Sequence, residues 1–219
     1  MPRSRRCSLR YENRLRKAGC GCIAGVDEVG RGPIAGPVIA AAVVLPVTFR
    51  LRGLTDSKQL SPAVREEFFA RLTSNPNVHH AVGFASVAEI DEINILQAAH
   101  RAMLRALGTL TADPEHVLVD GLFVRSLPYP QTALVGGDAL SLSIAAASVI
   151  AKVTRDRLME GWHQRFPVYG FDRHKGYLTR DHFESLRRHG PCPIHRRSFA
   201  PVAQTLPSFC PKNPNPVSP

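Results

Sequence analysis

The chain has 219 residues, enough for one domain of ordinary to large size, and its composition (44% hydrophobic, 21% charged) is that of a globular protein with a sizeable core. A formal net charge of +10 favours polyanionic partners, with nucleic acid first among them, although basic proteins without such partners also exist. No apolar run reaches the roughly 18 uncharged residues of a membrane span, and five cysteines (Cys7, Cys20, Cys22, Cys192, Cys210) form no disulfide framework. A zinc site joining Cys20 and Cys22 to Cys192 and His195 is disfavoured, because a single residue inside the first pair is tighter than structural zinc uses. The cysteines are read as free thiols. The basic start, MPRSRRC, is followed by no apolar core, so no signal peptide is expected and the chain is read as cytoplasmic.

Residues 1 to 20 are polar and basic, a loose arm or an early helix. Strands are predicted over 22–27 and 37–45, joined hairpin-fashion by a Gly/Pro turn. Ser61-Pro62 is a helix start, a cap with proline at the first helical position, and that helix should run to about Leu72. A strand over 78–85 follows. Ser86 and Glu89 have capping-box spacing ahead of one long helix, in which Ile93, Leu96, Ala99, Met103, Ala106 and Leu110 recur at three- and four-residue steps. Short buried strands over 117–119 and 132–135 run into Asp120-Gly121 and Gly136-Gly137-Asp138. Helices over 143–165 and 179–189 complete the list. The proline-rich tail, 204–219, is expected to be disordered. Early strands followed by alternating strands and helices indicate an α/β domain on a mixed sheet over 21–203.

Asp27, Asp120 and Asp138 each close a predicted strand beside a glycine, and strand ends are where α/β sheets build sites. With Glu28 they offer four acidic oxygen donors, a set suited to magnesium or manganese and to two-metal phosphodiester chemistry. Adjacent strand residues face opposite sides, so Asp27 and Glu28 can aim at one spot only if the strand bulges or ends there. A serine or cysteine hydrolase is disfavoured: the chain has no G-x-S-x-G elbow, and its cysteines lack an activating context.

The motifs GVDEVGRGPIAGPV (25–38), DSKQLS (56–61), EID (89–91), NILQA (94–98), VDG (119–121), GD (137–138), SIAAAS (143–148), AKVTRD (151–156), YGF (169–171), HKGY (174–177) and HRRSF (195–199) occur in this order. Together they resemble the bacterial ribonuclease HII family over about residues 22–202. The resemblance implies a ribonuclease H-like fold, with a central mixed β-sheet flanked by helices and a small C-terminal helical part. It implies hydrolysis of RNA in RNA–DNA hybrids, and cutting on the 5′ side of a single ribonucleotide in duplex DNA to leave 3′-hydroxyl and 5′-phosphate ends. It makes Asp27, Glu28, Asp120 and Asp138 the catalytic, metal-binding acids, with Mn2+ or Mg2+ as cofactor. It makes Gly30, Arg31 and Gly32 the readers of the ribonucleotide 2′-hydroxyl, and Tyr177 the ring that packs on the following deoxyribose. A monomer is expected.

Lys58, at a predicted helix start, is placed for a phosphate. Lys152 and Arg155 are either contacts to backbone or neighbouring groups, or a solvated helix face. His174 and Lys175 could touch phosphate, His195 to Arg197 could buttress the site, and His163, His182 and His189 are read as surface residues. Gly136 and Leu122 depart from the family pattern, which leads one to expect a basic residue near the first and a polar one at the second. The peptide 204–209 loosely resembles a sliding-clamp-binding sequence, with proline where leucine is expected. Two other readings remain open. One is a junction-cutting or strand-transfer nuclease of the same fold, against which Gly30-Arg31-Gly32 and Tyr177 argue. The other is a non-catalytic nucleic-acid-binding module, against which the four acids argue, since carboxylates repel phosphate unless metal neutralises them.

Overall fold

The computed structural model describes residues 7–206; the rest of the proline-rich tail and the first six residues lie outside the described residues. Strands β1 (Ile23–Val29), β2 (Val38–Val44), β3 (His79–Ala85), β4 (His116–Asp120) and β5 (Gln131–Leu134) form one sheet in the order β3-β2-β1-β4-β5. The hairpin expectation is met, because β1, β2 and β3 pair antiparallel, while β4 and β5 add to β1 in parallel. The helices are α1 (Arg10–Lys17), α2 (Pro62–Thr73), α3 (Val87–Gly108), α4 (Leu142–Arg165), α5 (Phe171–His174), α6 (Arg180–His189) and α7 (Ala200–Ala203).

Local chemistry explains the helix starts. Ser61 accepts from Val64 N with Pro62 in the first turn, Ser86 and Glu89 close a reciprocal capping box, and Ser141 and Thr179 cap α4 and α6. The helix expected without interruption after Ser86 is broken at Asn94, whose φ of 67° and ψ of 164° are not helical. The Asn94 side chain then accepts from Leu96 N and Gln97 N, so it caps a second helical segment within α3.

The sheet is covered on both faces. Ile39, Ala41 and Val43 pack with α2 and α4, whereas Ala24, Val26, Val38, Ala40 and Ala42 pack with α3. The all-alanine stretch 145–147 lets α4 lie close on the sheet, and Gly25 marks the closest approach. A Cβ there would stand 2.2 Å from the Ser143 carbonyl carbon. Helix α1 is tied to the start of α4. Glu12 is fully buried, and its Oε1 accepts from Ser141 Oγ (2.7 Å), Ser143 N (3.0 Å) and Ser143 Oγ (2.7 Å). The parallel pairing of β1, β4 and β5 brings their carboxyl ends to one edge of the domain, below which α4 begins.

Candidate active site

Asp27, Asp120 and Asp138 meet at that edge, with one carboxylate oxygen from each lying within 4.8 Å of the other two. Asp27 sits in β1 two residues before its end, Asp120 is the last residue of β4, and Asp138 lies in the 3₁₀ turn Gly137–Ala139 after β5. Gly136, at φ 66°, has the left-handed backbone that turns the chain into this position, a conformation a basic residue would hold only under strain. Asp120 Oδ1 accepts from Gly137 N at 2.7 Å, which ties the second acid to the turn carrying the third.

Glu28 is placed differently. β1 pairs without a bulge through Val29, so the alternation of a regular strand holds and Glu28 projects to the face opposite Asp27. There it lines a hollow of about 170 Å³ with Arg31, Asp120, Leu122 and residues of α3. Arg31 Nη1 pairs with Glu28 Oε1 at 3.1 Å. Asp120, at the next strand's end, borders both groups and links them.

The electrostatics are those of crowded acids whose burial and mutual repulsion outweigh the counter-charges of Arg31 and Lys58. Burial, then Glu28 and Asp120, hold the Asp27 carboxyl well above the usual carboxylate range. Burial, Asp120 and Asp56 push Asp138 from 3.8 up to about 6. Burial also raises Glu28, with Arg31 opposing it. Glu28 Oε2 is buried and has no hydrogen-bond partner among the described residues. All-oxygen donors, mutual repulsion and an orphaned carboxylate oxygen together fit a hard divalent cation. An ion held by the three aspartates would remove their repulsion, and one between Glu28 and Asp120 would satisfy the orphan.

Around the acids, Lys58 is exposed at the end of the Asp56-Ser57-Lys58 turn. Burial works to lower its pKa, but Asp56, Asp27, Asp138 and Asp120 more than offset this and raise it. Asp56, quoted in the sequence only as part of a motif, is a further carboxylate beside Asp138, and its Oδ1 caps Lys58 N at 2.9 Å. Ser148 hydrogen-bonds Asp27 from α4 and contacts Ser57 at 2.9 Å. Neither role has a local signal, because each depends on elements far apart in sequence.

The loop of Gly30, Arg31 and Gly32 lies against Tyr177: a Cβ on Gly32 would stand 3.4 Å from the Tyr177 ring. Gly30 has φ 95° and no room, since a Cβ there would come within 2.4 Å of Arg155 Nε. Two arginines hold this loop from below. Arg196 donates to the carbonyls of Gly30, Arg31 and Gly36, and Arg155 donates to those of Ala35, Pro37 and Lys175. Both are fully buried, and burial lowers their pKa to about 9 and about 10 respectively, so both remain charged at neutral pH. For Arg155 this decides between the two readings of the sequence: it contacts backbone and is no solvated face. Lys152 is paired with Asp156 at 2.7 Å.

Other expectations need correction. His182, read as a surface residue, is fully buried, because its face of α6 turns inward against His195 and Phe171. The Lys175 ammonium is engaged by Glu160 and the Asp172 carbonyl at 2.7 Å each, and both His174 nitrogens bond backbone, so neither side chain is free for phosphate. Cys192 lies with His195 behind the Gly36 turn, at the opposite end of β1 from Cys20 and Cys22.

A mixed five-stranded sheet with helices on both faces, and carboxylates gathered at the ends of its parallel strands, defines the ribonuclease H-like class. The family model described as Ribonuclease HII matches residues 24–202. The Ribonuclease HII of Geobacillus kaustophilus is 55% identical over 198 residues, spanning 90% of this chain and 75% of that protein. Among solved structures, the ribonuclease H2 from Pyrococcus horikoshii OT3 superposes with a TM-score of 0.70 at 32% identity, covering 84% of this chain and 96% of that one. The RNase HII of Archaeoglobus fulgidus, solved in complex with PCNA, gives a TM-score of 0.62 at 30% identity, covering 76% and 87%. The chain belongs to the ribonuclease HII family: it is a type 2 ribonuclease H, an endonuclease acting on the RNA of RNA–DNA hybrids.

Proposed function

We propose that the protein is a divalent-metal-dependent endonuclease that cuts on the 5′ side of single ribonucleotides embedded in duplex DNA, leaving 3′-hydroxyl and 5′-phosphate ends, and so starts their removal. The observation that carries this reading is the meeting of three aspartate oxygens within 4.8 Å, on the same edge as the Gly30-Arg31-Gly32 loop and Tyr177. Asp27, Asp120 and Asp138, with Glu28 from the other face of β1, would hold Mg2+ or Mn2+. Bound there, such ions supply Lewis acidity to a phosphate oxygen and lower the pKa of water.

The chain's own residues supply position and discrimination. The 2′-hydroxyl alone separates the target nucleotide from its neighbours, so it has to be contacted directly. Backbone at Gly30 and Gly32 can hydrogen-bond it with no side chain in the way, and Arg155 and Arg196 keep that backbone fixed. Tyr177, 45% exposed beside Gly32, offers a ring that packs on a sugar lacking the hydroxyl. Lys58 neutralises a phosphate at the acids. Water is held off one side by the buried α4 face that carries Ser148. Among the described residues no helix is long and apolar enough to cross a membrane; we assign the protein to the cytoplasm, as a monomer built on one catalytic domain over 21–203. A sliding-clamp contact through peptide 204–209 is the weaker part of the reading, and this peptide passes out of the described residues after Leu206.

The test is a DNA duplex with one ribonucleotide, incubated with magnesium or manganese beside an all-DNA duplex and an Asp27→Asn control. A metal-dependent cut 5′ of the ribonucleotide, absent from both controls, is expected. Cutting of the all-DNA duplex would favour a junction nuclease, and binding without cutting under either metal would favour a non-catalytic module.

A further inference from the structure

Behind Tyr177, and away from the acids, lies a set of buried imidazoles that the reaction as described does not use. His182 is fully buried and His195 is 2% exposed, among Tyr169, Phe171 and Ile194. Their hydrogen bonds run in one direction. The backbone N–H of Cys192 donates to His195 Nδ1 at 3.0 Å, so the proton of the neutral ring sits on Nε2. His195 Nε2 lies 3.0 Å from His182 Nε2, which must therefore accept. The His182 proton is then on Nδ1, and it is donated to the Tyr177 carbonyl at 2.8 Å. A single arrangement of protons satisfies every ring nitrogen. His174 follows the same logic, accepting from Gly176 N at Nδ1 and donating to the Tyr169 carbonyl from Nε2, and it stacks on His182 with centroids 4.3 Å apart.

The segment these rings support is strained. Lys175 is a non-glycine residue with φ 50°, and Gly176 follows at φ 88°, with no space for a Cβ against the Ala35 carbonyl. Such a backbone persists only where its surroundings over-determine it. Here Arg155 takes the Lys175 carbonyl, Ile34 N donates to the Gly176 carbonyl at 3.0 Å, and Tyr177 N donates to the His174 carbonyl. The Tyr177 carbonyl accepts from both Thr179 N (3.0 Å) and His182 Nδ1 (2.8 Å). Among the described residues the Tyr177 ring is held by no side-chain hydrogen bond; its place against Gly32 follows from where its backbone is pinned.

We propose that His182 and His195 are positioning residues for Tyr177: a two-imidazole relay, anchored on the Cys192 amide, that fixes the Tyr177 carbonyl and so sets selectivity for a ribonucleotide followed by a deoxyribonucleotide. This rests on the reading of Tyr177 as the ring that packs on the deoxyribose. Burial depresses both imidazoles, to about 4 for His182 and about 3 for His195, in keeping with rings that work neutral.

The experiment compares kcat/KM on a duplex with one ribonucleotide in DNA against an all-RNA/DNA hybrid, for Tyr177→Ala, His182→Leu, His182→Asn, His195→Met and His195→Gln. Asparagine can place an amide N–H where Nδ1 stood, and glutamine one where Nε2 stood. His182→Leu and His195→Met should lower the single-ribonucleotide to hybrid ratio by about fivefold, the loss of one neutral hydrogen bond, while His182→Asn and His195→Gln retain it within about twofold. Nitrogen-15 imidazole shifts of the wild-type protein should show Nδ1–H for His182 and Nε2–H for His195. If Tyr177→Ala lowers the ratio and His182→Leu does not, the relay is refuted while the reading of Tyr177 stands. An unchanged ratio in Tyr177→Ala overturns both. Should the apolar variants not fold, the opposite tautomers in the wild-type spectrum, or a ratio lost in both amide variants, overturn the relay.

Discussion

Replacing Asp138 by asparagine should abolish cutting and, in the absence of divalent metal, make the protein more stable. The side chain changes by one atom type, so packing in the 3₁₀ turn is kept and the charge is what is removed. Burial and the nearby Asp120 and Asp56 move this carboxyl from 3.8 to about 6. At ~1.4 kcal/mol per pH unit, its ionised form therefore costs the folded state ~3 kcal/mol. Asp120 beside it is only half-buried and the exposed Lys58 partly offsets the charge, and halving the figure for this screening leaves ~1.5 kcal/mol. The folded state holds this proton more tightly than the unfolded chain, so the stability it confers is present below pH 3.8 and lost as pH rises through about 6. In EDTA at pH 8, Asp138→Asn should melt about 3–6 °C above the wild type. The gap should close near pH 4, where both side chains are neutral, and shrink at pH 8 when magnesium is restored to the wild type. A variant that is less stable in EDTA at pH 8, or a gap indifferent to pH, would refute the reasoning that these acids are held together against their repulsion.

Gly25→Ala would press a methyl group onto the Ser143 backbone 2.2 Å away and should destabilise by about 3 kcal/mol; a denaturant midpoint within about 0.5 kcal/mol of wild type would show that α4 can shift. Arg196→Met leaves the carbonyls of Gly30, Arg31 and Gly36 without their donor and should cost about 3 kcal/mol, with the cut at single ribonucleotides failing before the fold does. Thermal melts beside a cleavage assay check both halves, and full activity at normal stability contradicts the buttress. The buried imidazoles act in the sense opposite to Asp138. Burial lowers His195 to about 3 and His182 to about 4, so the unfolded chain takes up protons that the folded one refuses, and stability falls as pH drops below 6.5. Each ring contributes ~1.4 kcal/mol per pH unit in that range. Melting measured from pH 7 to 4.5 in the Asp138→Asn background should flatten on adding His195→Gln; an unchanged slope would mean that His195 is not buried neutral.

The strands and most helix starts could be read from the sequence because their causes are local: Ser61-Pro62 and the Ser86/Glu89 box carry their capping chemistry within four residues. The three aspartates were legible because each stands near a strand end, Asp120 and Asp138 next to a glycine and Asp27 two residues from one, and parallel pairing then gathers strand ends without further instruction. The alternation rule also warned that Asp27 and Glu28 diverge. Only the register of β1 with β2, unbroken through Val29, shows that the strand runs on past both acids and puts them on opposite faces. His182 was misread because α6 (RDHFESLRRH) is so polar that any histidine in it looks solvated; its partner is a ring 13 residues on, beyond a turn. Arg155 and Arg196 stood out in the sequence only as a contact or solvated face and as part of a buttress; their partners are carbonyls, which every residue has, so the sequence could not say which ones they hold. The break at Asn94 interrupts an apolar spacing that continues across it, so periodicity alone passed over the one residue able to recap the helix.

The burial of Glu12 has a consequence for how the protein comes off the ribosome. The carboxylate that secures α1 finds its donors at Ser141 and Ser143, up to 131 residues further along the chain. At translation rates of roughly 5–20 residues per second, the first helix emerges on the order of ten seconds before the surface it docks on exists. Until then it is a short, charged segment without the donors that bury its carboxylate, and the turn carrying Asp138 emerges only just ahead of them. Helix α1, among the first parts to be made, is thus among the last to settle, and nascent chains halted before α4 would carry β1 and its acids without the clasp that completes them.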